Sequence, residues 1–135
     1  MGQTYLSKKK LDTEEEGNSE MEEDCIFCRI VAGKLPSEIH YQDEEVIAFR
    51  DINPKAPIHL LIVSKKHIPS LLQITQAESP LIGHMVTVAN ELAKKEGISE
   101  KGYRLIINCG KECGQLVPHL HMHFLAGHKL SDELG

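Results

Sequence analysis

The run His119-Leu120-His121-Met122-His123-Phe124 limits what this chain can fold into more than any other stretch. Histidine and an apolar residue alternate three times. A β-strand turns successive side chains to opposite faces, so His119, His121 and His123 share one face and Leu120, Met122 and Phe124 the other. A helix would scatter the imidazoles around its axis. An ordinary half-buried strand explains polar residues on one face, but not the same residue three times. Imidazole titrates near neutrality, ligates metals and can act as a nucleophile. The pattern predicts a strand that carries chemistry.

The chain has 135 residues, enough for one domain with a real core. Tryptophan is absent and only 4% of residues are aromatic, so that core has to be aliphatic. A net charge of -5 argues against broad affinity for nucleic acid, which requires a basic surface. No apolar run approaches the length of a membrane span, and no apolar h-region opens the chain. A cytoplasmic location is expected, or a nuclear one in a eukaryote. Met1-Gly2 would suit a myristoylation signal, but Leu6 stands where Ser or Thr is required. The four cysteines form two close pairs, Cys25/Cys28 and Cys109/Cys113. Without a secretory signal, reduced thiols are expected rather than a disulfide framework.

Residues 1–23 read as a disordered, charged N-terminal tail. Lys8-Lys9-Lys10 is followed by Glu14-Glu15-Glu16 and then Glu20, Glu22 and Glu23, with little apolar content to offset the entropy of ordering. The domain is expected over 24–135. Asp24 can cap a short helix running through Ile30 to Ala32, and Gly33 can end it. Residues 38–42 and 45–51 read as a hairpin about a tight turn at Asp43-Glu44. Asn53-Pro54 and Ala56-Pro57 form a rigid loop before a strand over 58–63. Ser79 fits a helix N-cap and Pro80 the first helical position, with Leu81, Met85, Val88 and Leu92 at helical spacing. Residues 103–108 make a further strand, and a glycine-bearing loop over 109–115 leads to the histidine strand. Two helices and about five strands joined by short turns give an α+β domain with an antiparallel sheet.

Cys25-Ile26-Phe27-Cys28 has the spacer with which two thiolates grip one tetrahedral ion, although two small buried apolar residues would look the same. His59 interrupts an apolar strand where an aliphatic residue would be expected. Cys25, Cys28, His59 and one triad histidine can complete a Cys2His2 site. Cys109 and Cys113 read as loop thiols. His40, His67, His84 and His128 are isolated and read as surface or turn residues. On the histidine strand, one ring can donate from one nitrogen to a backbone carbonyl and present the other, unprotonated, to phosphorus. Glycines in Gly110-Lys111-Glu112-Cys113-Gly114-Gln115 would let backbone N–H groups approach an anion. Asp51 reads either as a turn residue or as an acceptor for sugar hydroxyls.

His119 to Leu125 resembles the signature of the histidine triad (HIT) superfamily, His-φ-His-φ-His-φ-φ with φ apolar. Ala48 to Pro54 is similar to the ribose-side segment of that family. Ala56-Pro57-Ile58-His59 and Lys65-Lys66-His67-Ile68 resemble the next block, and Asn108 with Gly114 to Val117 the phosphate-side loop. The combination points to the Hint-like branch. The resemblance implies a HIT-like fold, a five-stranded antiparallel sheet with two helices, in a homodimer whose sheets join into a continuous ten-stranded one. It implies a purine nucleoside phosphoramidase that cleaves AMP–amine or GMP–amine conjugates through a nucleotidyl–His121 intermediate. A dinucleoside polyphosphate hydrolase, or a weakly active nucleotide-binding scaffold, is the alternative. His123 would contact phosphate, and His119 and His59 would support the site. Phe49, Asp51 and Ile52 would take the nucleoside, and Asn108, Gln115, Leu116 and Val117 the phosphate. Structural zinc would be held by Cys25, Cys28, His59 and His119, and no catalytic metal is required. Leu116 departs from a Ser found in some relatives and cannot hydrogen-bond a leaving group.

Overall fold

A computed structural model describes residues 24–134. The expected tail over 1–23 lies outside the described residues. A short helix α1 (Ile26–Val31) leads into the hairpin β1 (Ile39–Gln42) and β2 (Val46–Arg50), then β3 (Ile58–Ser64). Helix α2 (Ser79–Lys95) crosses over to β4 (Arg104–Ile106) and β5 (His121–Ala126). The five strands form one sheet in the order β1-β2-β3-β5-β4, antiparallel throughout, as expected.

The period-2 alternation of β2, β3 and β5 feeds two separate clusters. Val46, Ala48, Leu60, Ile62, Leu120, Met122 and Phe124 pack with Met85, Val88 and Leu92 of α2. Ile47, Phe49, Leu61 and Val63 face the other way and are covered by α1 through Phe27 and Ile30. Across β3 and β5, Leu61 is paired with His123 and Val63 with His121. The imidazoles therefore lie on the α1 side, and the apolar residues between them complete the α2 core.

Strand β4 is shorter than the expected 103–108, and three further boundaries differ from expectation because side chains or loops intervene. Helix α1 is capped by Cys25, whose Sγ accepts from the Cys28 N–H at 3.4 Å. Helix α2 has Glu78 at its N-cap and Ser79 as its first residue, with Pro80 within the first turn. The Glu78 carboxylate is bound by the N–H and hydroxyl of Thr75 at 2.9 and 2.7 Å, so the T-x-x-E box at Thr75 sets up the helix start. Strand β5 begins at His121 because the chain ahead of it leaves the ladder. The Leu120 N–H donates to the Ile68 carbonyl at 2.6 Å and the His119 N–H to Val117 at 2.8 Å. The hairpin turn is as expected: Asp43 accepts the Glu45 and Val46 N–H groups at 2.8 and 2.9 Å.

Candidate functional site

His121 opens β5 with 7% of its surface exposed, and its ring edge meets Phe27 of α1 at a centroid distance of 5.1 Å. Its Nδ1–H donates to the His119 carbonyl at 2.7 Å. That bond fixes the tautomer and leaves the lone pair on Nε2. Burial pushes its pKa below the ordinary imidazole value, so the ring is neutral at neutral pH.

His59, one pleat further along β3, lies diagonally from His123 on the same face. The Lys55 N–H donates to His59 Nδ1 at 3.0 Å, which places the His59 proton on Nε2. Nε2–H in turn donates to His123 Nδ1 at 3.0 Å, with Asp51 Oδ2 at 3.4 Å as a second acceptor. His123 then carries its own proton on Nε2. Burial, reinforced by the neighbouring His121 and His59, holds its pKa down to about 4. Asp51 follows β2, with its N–H on the His59 carbonyl at 2.9 Å and its Oδ1 accepting from Asn53 at 2.8 Å. It is thus both a turn residue and a partner of the imidazoles. Ile52 is 85% exposed beside it, whereas Phe49 is buried, edge-on to Phe27.

On the other flank, residues 108–118 form a tight loop. Gly110 and Gly114 have φ of +92° and +93°, which favours glycine. Asn108 Nδ2 lies 3.5 Å from the Gly114 carbonyl. Among the described residues, the N–H groups of Leu116 and Val117 have no acceptor, and the Leu116 side chain is 88% exposed. Two neighbouring free N–H groups suit an anion. The Gln115 N–H, by contrast, already donates to the Gly110 carbonyl at 3.1 Å.

The metal-ligand expectation is also corrected. Four donors converge, but they are Cys25, Cys28, His67 and His119, all within 4.8 Å of one another. His59 belongs instead to the group with Asp51 and His123. The reason lies in the strand. His119 Nε2–H donates to the Ser64 carbonyl at 2.6 Å, at one end of β3, and His59 is near the other end. Five residues at about 3.3 Å each separate them by roughly 16 Å, too far to share an ion. His67, read from sequence as a surface or turn residue, is buried. Its Nδ1 lies 3.2 Å from His119 Nδ1 and 3.3 Å from Cys28 Sγ, and Cys25 Sγ is 3.2 Å from His119 Nδ1. The quoted block Lys65-Lys66-His67-Ile68 was the available signal.

The two groups differ in chemistry. His119 gives its Nε2–H to a carbonyl, which fixes the ring and turns the Nδ1 lone pair toward the thiols, as in a metal-bound imidazole. Donor separations near 3.3 Å are what a tetrahedral ion with ligand bonds of about 2.0–2.3 Å would subtend. The Cys25 thiol is drawn well below its ordinary value by a hydrogen bond from Cys28, against the effect of burial and helped by His119 and His67. The Asp51–His59–His123 group is the wrong way round for a metal. The Lys55 amide occupies His59 Nδ1, so Nε2 carries hydrogen where an ion would need a lone pair. That group fits a chain of proton donors. Cys109 and Cys113 are free thiols outside both groups. His40 and His84 pair with Glu38 and Asp43 at 2.8 and 2.6 Å, away from the site.

Residues 24–133 match the family model described as scavenger mRNA decapping enzyme C-term binding. The purine nucleoside phosphoramidase of Escherichia coli (strain K12) is 46% identical over 114 residues, 84% of this chain and 96% of that protein. A histidine triad protein from Clostridium difficile is 47% identical with a TM-score of 0.81, covering 84% of this chain and 98% of its own. A HIT family hydrolase from Clostridium thermocellum is 46% identical with a TM-score of 0.82, covering 84% and 99%.

Proposed function

The chain belongs to the histidine triad family, and on that premise we propose that it is a purine nucleoside phosphoramidase cleaving the P–N bond of nucleotide–amine conjugates. The observation that carries this reading is the His121 Nδ1–H bond to the His119 carbonyl, which leaves a neutral Nε2 free for attack. In the first step Nε2 bonds to phosphorus as the P–N bond breaks. The departing nitrogen takes one proton from solvent and leaves as the amine. In the second step water adds to phosphorus and gives up one proton to solvent, the P–Nε2 bond breaks with its electron pair returning to Nε2, and AMP or GMP leaves. His123 Nε2–H and the N–H groups of Leu116 and Val117 hold the phosphate oxygens, with Asn108 beside them. Asp51 accepts from the ribose hydroxyls and Ile52 covers the base, on a floor set by buried Phe49. His59 and His119 position the two working imidazoles. With Leu116 at its position, the loop has no hydroxyl to assist the leaving group.

The test is hydrolysis of an adenosine phosphoramidate followed by AMP release across pH. Since both working imidazoles are held below the ordinary imidazole value, His123 down to about 4, kcat/KM should stay level from about pH 8 to about pH 6.5 and fall only at lower pH, as His121 gains a proton on Nε2 or His123 a second one. No AMP release at any pH would sink the reading. An acid limb at or above about pH 6.5 would mean that His121 and His123 are not the neutral imidazoles this reading requires.

Cys25, Cys28, His67 and His119 would hold zinc, which when bound supplies a structural cross-link between α1 and the strand-end loops. A cytoplasmic location suits the reduced thiols of Cys25 and Cys28, which converge with His67 and His119 as metal ligands would. Among the described residues no helix is long and apolar enough to cross a membrane. We further propose a homodimer through β4, which lies at the sheet edge with β5 as its neighbour. Sedimentation equilibrium giving the mass of one chain would refute that assembly.

A further inference from the structure

We propose that Gln115 is a positioning residue whose side chain shapes loop 110–117, so that the Leu116 and Val117 N–H groups meet the phosphate. The inference rests on the nucleotide reading above. The Gln115 amide is saturated within the protein. Its Oε1 accepts the Gly110 N–H at 2.9 Å, and its Nε2 donates to the carbonyls of Pro69 at 2.7 Å and Val117 at 3.1 Å. A glutamine amide has two donor hydrogens, and both are in use. The backbone N–H is spent on the Gly110 carbonyl at 3.1 Å. Gln115 thus has no donor left for a substrate, yet it grips Gly110 at both its N–H and its carbonyl.

The loop needs such a brace. Gly110 and Gly114 sit at positive φ, where glycine has the greatest backbone freedom, and Cys113 and Leu116 are exposed. Through Pro69, Gln115 ties this loop to the segment over 67–69. The same segment carries His67 of the metal-ligand group and the Ile68 carbonyl that takes the Leu120 N–H at 2.6 Å. The anion-binding N–H groups and the nucleophile are thereby held against one frame. Loss of the brace should weaken ligands that carry a phosphate and spare those that do not.

Isothermal titration of Gln115→Ala with AMP and with adenosine tests this. AMP should bind about tenfold more weakly, the loss expected from loosening two anion-binding hydrogen bonds, while adenosine affinity is unchanged. KM for the phosphoramidate should rise in step with the AMP Kd and kcat should change little, because phosphate is held alike in ground and transition states. Unchanged AMP affinity would overturn the inference, as would parallel loss of both ligands, which marks general loosening. Should Gln115→Ala not fold, Gln115→Met serves: it is uncharged and of similar length, loses the acceptor and both donors of the amide, and should show the same selective loss. If the wild-type protein binds neither ligand, the nucleotide reading itself falls.

Discussion

Replacing His121 with alanine is expected to reduce turnover of an adenosine phosphoramidate by about 10⁴-fold or more while leaving AMP affinity within a few-fold of wild type. The separation follows from geometry. His121 is the ring whose Nε2 is free by virtue of the bond from Nδ1–H to the His119 carbonyl. The groups assigned to hold the nucleotide are different ones: Asp51 after β2, and the Leu116 and Val117 N–H groups in the loop before β5. Removing the nucleophile takes away the covalent step and not the cradle. His123 cannot replace it, because its Nδ1 accepts from His59 and its Nε2 carries the proton. Rapid quenching of the wild type and intact mass measurement should reveal a protein heavier by one nucleotidyl group, absent from His121→Ala. Similar turnover in both proteins would mean that water attacks directly, and the covalent route would be wrong.

What the sequence revealed here was whatever is local in it. The alternation from His119 to Phe124 puts the imidazoles on one face by itself, because the strand period is set by the backbone. The glycine loop and the hairpin turn at Asp43 were legible for the same reason. Which histidine completes the cysteine pair was not legible. His59 lies near the start of β3 and His67 three residues beyond its end at Ser64, and spacing says nothing about which end meets α1. That choice is settled by the register of β3 against β5 and by the turn that folds His67 back under His119. The role of Gln115 was hidden likewise. Its partner Pro69 is 46 positions away, and only the folded chain brings the two together.

Stripping metal from the protein, or replacing Cys25 and Cys28 with serine, is expected to lower stability far more than it alters chemistry. The four donors tie α1 to the loop over 67–69 and to the residue ahead of β5, and all four side chains are buried or nearly so. An ion that binds only the folded chain stabilises it by about 4 kcal/mol when free metal exceeds its Kd a thousandfold. For a domain of this size that is roughly 10 °C or more in Tm. Atomic absorption on the purified protein should give close to one zinc per chain, lost together with thermal stability on addition of a chelator and restored with it by zinc. Activity should follow the folded fraction, because the phosphorus-bonding atom is His121 Nε2 and the donor group contains no atom of that ring. A chelator that abolished turnover at a temperature where the chain stays folded would instead point to a catalytic metal. Stoichiometric absence of zinc, with no chelator effect on Tm, would leave the two thiols and two imidazoles as a buried hydrogen-bonded cluster. In that case Cys25→Ser with Cys28→Ser should cost only about 1–3 kcal/mol, the usual range for disturbing buried polar contacts.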